Sequence, residues 1–397
     1  MELTSLYKLV QIIVSSSHMN SNKKNISILT YSLTSGGAER VISILINKLH
    51  KTFNITLFLL NDTLFYDIPD SIKIIYLDQS KPNEHGIIKL FKIPFLALKY
   101  KKLSTSPISM SFMYRPNYIN VLANLFGMKS KTIINERCFP SYKKNHGLQG
   151  KINLMLINWL YKRATKVITN ALVSKYDLQK NFNVKHATTI YNPFNINQIT
   201  LKKQQNTKFN PTPFSFITIG RLDDQKNQEL MIKAMSHISG TLYIIGHGHL
   251  KEKLKKLIKH NQLESKVMLL GEQKNPFQYL AKADCFLLTS NYEGFPNVLV
   301  EALACKLPII STDCQSGPRE ILAPNSDVFA QLTDTIEYGE YGILTPVNNE
   351  AQLIKAMNAI MINTELQKKY AQKALTRAND FEATKIIKQY EAILCAE

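Results

Sequence analysis

Short apolar runs alternate with stretches in which apolar residues recur every three or four positions, and the alternation persists through most of the chain. The short runs predict strands over residues 26–31, 55–60, 72–76, 108–112, 132–135, 166–170 and 188–191, with helices between them, the first over 38–49. Nearly continuous apolar strands separated by amphipathic helices are the pattern of parallel sheets covered on both faces. The rhythm pauses at 201–213, LKKQQNTKFNPTP, a polar stretch with two prolines that reads as an interdomain linker. It then restarts with strands over 214–219, 241–245, 267–270, 285–289 and 308–311, helices over 227–235 and 250–260, and helix from 350 to the end. The expected fold class is α/β: two Rossmann-like, doubly wound parallel-sheet domains facing across a cleft, with ligands at the carboxyl ends of the strands. The expected divisions are an extension over 1–24, a first domain over 25–200, the linker, a second domain over 214–380, and a helix over 381–397 returning to the first.

Three segments at predicted strand ends carry candidate chemistry. In Glu293-Gly-Phe-Pro-Asn-Val-Leu-Val-Glu301 a strand gives way to a helix. The backbone at Phe295, Pro296, Asn297 and Val298 would open that helix, where unsatisfied N–H groups and the dipole favour a phosphate. Glu301 can accept hydrogen bonds from a ribose and Glu293 from a sugar. An acidic helix start with one solvated glutamate would look the same in isolation. The second segment, Gly220-Arg-Leu-Asp-Asp-Gln-Lys226-Asn, sets a guanidinium, Arg221, and an ammonium, Lys226, five residues apart at a strand end, a suitable clamp for a diphosphate. A surface loop with two solvated bases is the plainer reading. The third, Ser35-Gly36-Gly37-Ala38-Glu39-Arg40, pairs two glycines ahead of a helix, which also occurs for conformational reasons alone. Gly246-His247-Gly248 is too short for a dinucleotide fingerprint.

Charge changes the picture further. The net charge is +19, yet residues 1–200 hold 26 Lys and Arg against 9 Asp and Glu, while 201–397 hold 23 against 21. One half therefore faces a polyanion, an anionic lipid surface or a nucleic acid, or is simply a solvated basic surface. No apolar run approaches the roughly 20 residues that span a bilayer. Residues 85–103 join Lys89, Lys92, Lys99, Lys101 and Lys102 to Phe91, Phe95, Leu96 and Leu98, a basic amphipathic stretch fit for a headgroup layer or for packing on a sheet. Lys143 with Lys144, and Lys162, Arg163 and Lys166, extend the basic surface. The apolar segment at 6–14 is a poor signal peptide, and Met19 is a plausible alternative start. Five scattered cysteines without C-x-x-C pairing indicate neither a disulfide framework nor a zinc site.

Taken in order, SGGAERV, GRLDDQKN, IIGHGHL, EGFPNVLVEAL and SGPREIL resemble glycosyltransferase family 4. Within it, LLNDTLFYDIPD followed by SKPNEHGIIKLFKIPFLALKYKKL is similar to the N-acetylgalactosaminyltransferases that extend undecaprenyl diphosphate glycans for bacterial protein N-glycosylation. The resemblance implies a retaining, metal-independent GT-B enzyme without a cofactor, taking a UDP-sugar donor and a polyprenyl diphosphate-linked glycan acceptor. It implies a cytoplasmic protein, peripheral on an anionic membrane surface, with no nucleic acid partner. Arg221 and Lys226 would grip the diphosphate, Glu301 the ribose and Glu293 the donor sugar; Gly37 and Gly220 would border the phosphates. Asn192, in Tyr191-Asn192-Pro193, falls where relatives carry a site-lining asparagine, and a simple turn former would sit there equally well. Arg137 stands near the place of a family histidine, which leaves Glu136 and Arg137 as acceptor-side candidates. Other readings are transfer of another sugar to lipopolysaccharide or capsule, an epimerase that uses no lipid, and a basic nucleic-acid-binding protein, the last lacking zinc-finger or aromatic RNA-binding signatures.

Overall fold

The computed structural model describes residues 23–34, 36–78, 84, 86–141, 147–211 and 214–396. The segment 6–14, Met19, Ser35, His85 and the pair Lys143 and Lys144 lie outside the described residues. The chain divides into two compact units: one of residues up to Asn170, Ser174–Pro193 and from Ile386 on, the other of Ala171–Val173 and Phe194–Lys385.

The first unit is built on a seven-stranded sheet of β1 (Lys24–Thr30), β2 (Phe53–Leu59), β3 (Lys73–Tyr76), β4 (Ile108–Phe112), β5 (Lys131–Glu136), β6 (Lys166–Thr169) and β7 (Ala187–Thr189). The order is β3-β2-β1-β4-β5-β6-β7 and every neighbouring pair is parallel. Both faces are covered, so the strands are apolar on both sides. One core packs Val41, Ile42, Leu45 and Ile46 of the helix Gly37–Leu49 together with Ile386, Ile387 and Tyr390. The opposite core takes Ile93, Leu96 and Tyr100, Ile119 and Val121, and Ile157 and Leu160. β4 is buried throughout yet carries Ser109 and Ser111. Each is satisfied: Ser109 by Tyr100 at 2.5 Å and Asn120 at 2.7 Å, Ser111 by Asn117 at 2.8 Å.

The second unit repeats the plan with β8 (Ser215–Ile219), β9 (Thr241–Ile245), β10 (Val267–Gly271), β11 (Cys285–Leu288), β12 (Ile309–Thr312), β13 (Glu337–Tyr338) and β14 (Ile343–Thr345). The order is β10-β9-β8-β11-β12-β14-β13, parallel except for the β13–β14 pair. In each sheet the chain winds outward in one direction and then in the other. The strand order therefore reverses between β1 and β4 and between β8 and β11, where a crevice opens at the carboxyl ends.

Two expectations are corrected. The boundary between units falls after Pro193, and the expected linker at 201–213 begins inside the helix Ile196–Lys203. That helix forms because Asn195 caps it, its Oδ1 accepting from Gln198 N at 3.2 Å, and because Ile196 and Ile199 are buried on one side. β13 and β14 were absent from the expected strands. They are two and three residues long, too short for a periodic signal, and a Cβ at Gly342 would press on Ile309 O at 2.9 Å.

Candidate active site

The second unit places its two principal motifs on either side of the reversal point. Gly220 to Asn227 follows β8, and Glu293 to Glu301 follows β11, its neighbour. Tight backbone contacts shape the first loop. Gly220 N donates to Ile245 O at 3.0 Å and Leu222 N to His247 O at 2.9 Å. This closeness requires the glycines of the IIGHGHL turn: Gly246 has φ +145° and a Cβ there would lie 1.9 Å from Gly220 O, while one at Gly248 would lie 2.2 Å from Leu222 O. Those glycines thus seat the 220–222 backbone.

Across the loop, Lys226 and Glu293 form a largely buried ion pair, Nζ to Oε1 at 2.5 Å, the carboxylate being the more buried partner. The lysine stem passes over Gly220, where a Cβ would come within 3.3 Å of its Cγ. Ser290 Oγ donates to the same carboxylate oxygen at 2.7 Å, and Thr312 Oγ1 holds Ser290 O at 2.7 Å. Burial, reinforced by the Glu293 charge, pushes the neighbouring Cys314 thiol well above its ordinary pKa. The strand-end segments are tied by Thr289 Oγ1 donating to Asn227 O at 2.9 Å and Gln225 Nε2 to Tyr292 O at 3.0 Å. Arg221 is two-thirds exposed and is held by its own loop, 3.2 Å from Asp223 Oδ2 and from Gln225 Oε1. Each cation thus has its own carboxylate, an arrangement the spacing of the bases did not foretell.

The helix after Glu293 is Asn297–Ala304, with Pro296 at its N-cap. The helix therefore opens two residues later than the expected start at Phe295. Pro296 has no N–H, and Phe295 is a packing residue, its ring 5.4 Å from Phe381 and 6.5 Å from Phe194. Asn297 and Val298 are the first two helical residues. Glu301 is the fifth residue, one turn up the helix rather than two, and buried. The SGPREIL segment supports this loop from below. Ser316 Oγ donates to Gly294 O at 2.7 Å, and Gly317, at φ +96°, lies where a Cβ would strike Pro296 Cδ at 2.4 Å. Arg319 locks the segment through a bidentate pair with buried Asp313, at 3.0 and 2.6 Å, and a bond to Glu337 at 2.8 Å. Burial opposes the Arg319 charge, but these carboxylates outweigh it and hold its pKa above the ordinary value. Sequence reasoning missed Ser290, Asp313 and the Arg319 pair; the hint for the last was an acid directly after a strand-length apolar run.

The remaining candidates lie in the first unit. Gly37 is the exposed first residue of the helix Gly37–Leu49, at the carboxyl end of β1. Asn192 is buried and accepts from Arg137 NH1 at 2.6 Å. Arg137 also donates to Tyr390 Oη at 2.9 Å and lies over the Phe112 ring at 5.0 Å. Glu136, fully buried, accepts from Tyr161 Oη at 2.8 Å and from the amides of Arg137 and Cys138 at 2.9 and 3.0 Å. Burial, with the Glu136 charge adding to it, drives the Tyr161 pKa well above its ordinary value, which keeps that phenol a donor. Among the described residues, no group of three or more His, Cys, Asp and Glu stands together as a metal site.

Two doubly wound sheets, with cations and buried carboxylates where the strand order reverses in the second, are the equipment of a nucleotide-binding α/β protein. The family model for glycosyl transferases group 1 matches residues 200–377. The chain is 38% identical, over 91% of its length and 97% of the relative's, to N-acetylgalactosamine-N,N'-diacetylbacillosaminyl-diphospho-undecaprenol 4-alpha-N-acetylgalactosaminyltransferase of Campylobacter jejuni. It is 27% identical, over 92% of its length and 96% of the relative's, to the same organism's GalNAc-alpha-(1->4)-GalNAc-alpha-(1->3)-diNAcBac-PP-undecaprenol alpha-1,4-N-acetyl-D-galactosaminyltransferase. Among solved structures, HepE of Anabaena in complex with UDP superposes with a TM-score of 0.72 at 20% identity, covering 93% of this chain and 99% of that one. The chain belongs to the group 1 glycosyl transferases, and its two parallel-sheet domains have the GT-B fold. No helix among the described residues is long and apolar enough to cross a membrane.

Proposed function

We propose that this glycosyltransferase moves N-acetylgalactosamine from UDP to an undecaprenyl diphosphate-linked saccharide, with retention and without a metal, at the inner face of the cytoplasmic membrane. The observation that carries the reading is the convergence at the second reversal point: Arg221 after β8, the Lys226–Glu293 pair, and Glu301 on the first turns of the helix after β11. The 38% identity to a relative named for that reaction supports the sugar and the acceptor. In this reading Arg221 exchanges Asp223 for the donor diphosphate, the amides of Asn297 and Val298 face its phosphates, and Glu301 receives the ribose hydroxyls. Glu293, fixed by Lys226 and Ser290, orients the sugar.

The acceptor hydroxyl oxygen bonds to the anomeric carbon on the face from which the phosphate oxygen departs, and its proton passes to that oxygen. No side-chain base is then needed. Arg221, Lys226 and the helix start stabilise the charge that builds on the leaving diphosphate. The experiment is mass spectrometry of a membrane-extracted lipid-linked acceptor after incubation with a panel of nucleotide sugars. An N-acetylhexosamine added from UDP-N-acetylgalactosamine alone is the expected result; no addition from any UDP-linked donor contradicts it.

A further inference from the structure

Three arginines are buried among the described residues: Arg115 at 5% exposure, Arg137 at 8% and Arg319 at 4%. A guanidinium keeps its charge throughout the pH range of proteins, so burying one calls for a compensating anion. Arg115 has Asp78 at 3.0 Å, and Arg319 has Asp313 and Glu337. Arg137 is held by neutral groups instead. Its NH1 donates to Asn192 Oδ1 at 2.6 Å and its NH2 to Tyr390 Oη at 2.9 Å, with the Phe112 ring 5.0 Å beneath. Glu136, next to it in the chain, turns to Tyr161 Oη and to the backbone amides of Arg137 and Cys138. Tyr390 leaves the charge in place as well. Burial, against the pull of Arg137, lifts its pKa above the ordinary value, and its hydroxyl donates onward to Asn135 Oδ1 at 3.2 Å. Among the described residues these two bonds are the guanidinium's hydrogen bonds, and Nε is buried without a partner.

Folding alone gives no reason to keep such a charge, since apolar groups of similar volume in place of buried ions are often as stable or more so. Its position gives one. Arg137 directly follows β5, and Phe112 ends the neighbouring β4. The cation thus stands at the carboxyl ends of parallel strands, the edge where such a sheet takes its ligands. We infer that Arg137 is an anion-receiving residue of the first unit, binding a diphosphate that takes part in the transfer, with Asn192 and Tyr390 as positioning residues that fix its guanidinium plane. A planar fork of N–H groups matches phosphate oxygens, and a fork already aligned loses little further freedom on binding. Tyr390 lies on the helix Ala383–Cys395, which also sends Ile386, Ile387 and Leu394 into the core, so the last helix aims a group 253 residues away. The inference deepens the glycosyl-transfer reading and rests on it for the anion, because nucleotide donor and lipid-linked acceptor both carry a diphosphate.

Inorganic pyrophosphate is titrated by calorimetry into full chains carrying Arg221→Ala, which silences the clamp of the second unit. Adding Arg137→Met should weaken binding at least ~tenfold, and Arg137→Lys, which keeps the charge, should recover part of the loss. Tyr390→Phe keeps the ring in the core and removes only the oxygen that aims the guanidinium; binding about threefold weaker, at a melting temperature near the parent's, is expected. In chains with Arg221 intact, KM is then measured for a UDP-sugar and for a short-chain prenyl diphosphate-linked saccharide. A rise toward the nucleotide sugar with Arg137→Met assigns the anion to the donor, and a rise toward the saccharide assigns it to the acceptor. Parental pyrophosphate affinity in a folded Arg137→Met chain overturns the inference, as do equal losses in Arg137→Met and Arg137→Lys, or an unchanged KM for both substrates. The titration needs no turnover. A chain that binds pyrophosphate through Arg137 yet transfers no sugar contradicts the transferase reading while upholding this one.

Discussion

Replacing Lys226 by Met isolates the contribution of its pairing with Glu293. The ammonium lies 2.5 Å from the carboxylate, and the two side chains are 16% and 6% exposed. Methionine retains the stem that crosses Gly220, so the substitution removes charge while largely sparing packing. The carboxylate left behind keeps Ser290 Oγ at 2.7 Å. Stranding one partner of a buried pair costs about 3–5 kcal/mol, and the Ser290 bond and the residual lysine exposure set this case near the lower end, about 3 kcal/mol. At about 2–4 °C per kcal/mol for a unit of this size, the calorimetric transition of the second unit should fall by roughly 6–12 °C. Adding Glu293→Gln removes the stranded charge and should recover much of the loss, giving a coupling of about 2 kcal/mol in the double-mutant cycle. A Lys226→Met protein melting within about 1 °C of the parent, with additive effects of the two changes, would refute the reasoning.

Gly246→Ala should force the 220–222 backbone away from β9, because its Cβ would overlap Gly220 O; a loss of at least about 2 kcal/mol in urea denaturation is expected, and an unchanged midpoint contradicts the close contact. Alkaline pH should weaken the fold. Burial pushes the phenols of Tyr31 and Tyr100 and the Cys305 thiol up to about 12. The unfolded chain releases these protons near pH 8.5 for the thiol and pH 10 for the phenols, so their contribution is intact below about pH 8.5 and is lost as pH rises toward 12. The urea midpoint at pH 10.5 should accordingly fall below that at pH 8, and equal midpoints would contradict the burial. In a thiol titration at pH 8, exposed Cys138 and Cys395 should react promptly, whereas Cys285, Cys305 and Cys314 should wait for unfolding; five fast thiols would show the interior wrongly drawn.

The sheets were legible because parallel strands buried on both faces are written as apolar runs, as at Ile108–Phe112, whose bounds match the expected strand. β13 and β14 were not, since pairing of two and three residues depends on neighbours rather than on period. The candidate residues were readable in their place along the fold and not in their partners. Arg221, Lys226 and Glu293 follow strand ends that the alternation located and Glu301 lies on the next helix, but the Lys226–Glu293 pair spans 67 residues and the Arg137–Tyr390 bond 253. Contacts of that sequence separation leave no local pattern. The helix Gly147–Leu160 shows a subtler limit: apolar residues all around it do not say which face is covered, and only the packing of Ile157 and Leu160 shows which one the sheet takes.

Calorimetric titration of UDP into the folded chain, its Arg221→Ala variant and its Glu301→Gln variant tests the central claim most directly. Arg221 is exposed and, among the described residues, its side chain is held by Asp223 and Gln225 of its own loop, so its removal should leave the melting temperature near the parent's. Loss of a charge-assisted contact predicts UDP binding about 10- to 100-fold weaker in Arg221→Ala, and a marked loss in Glu301→Gln. Parental UDP affinity in both folded variants would contradict a nucleotide site at the carboxyl ends of β8 and β11.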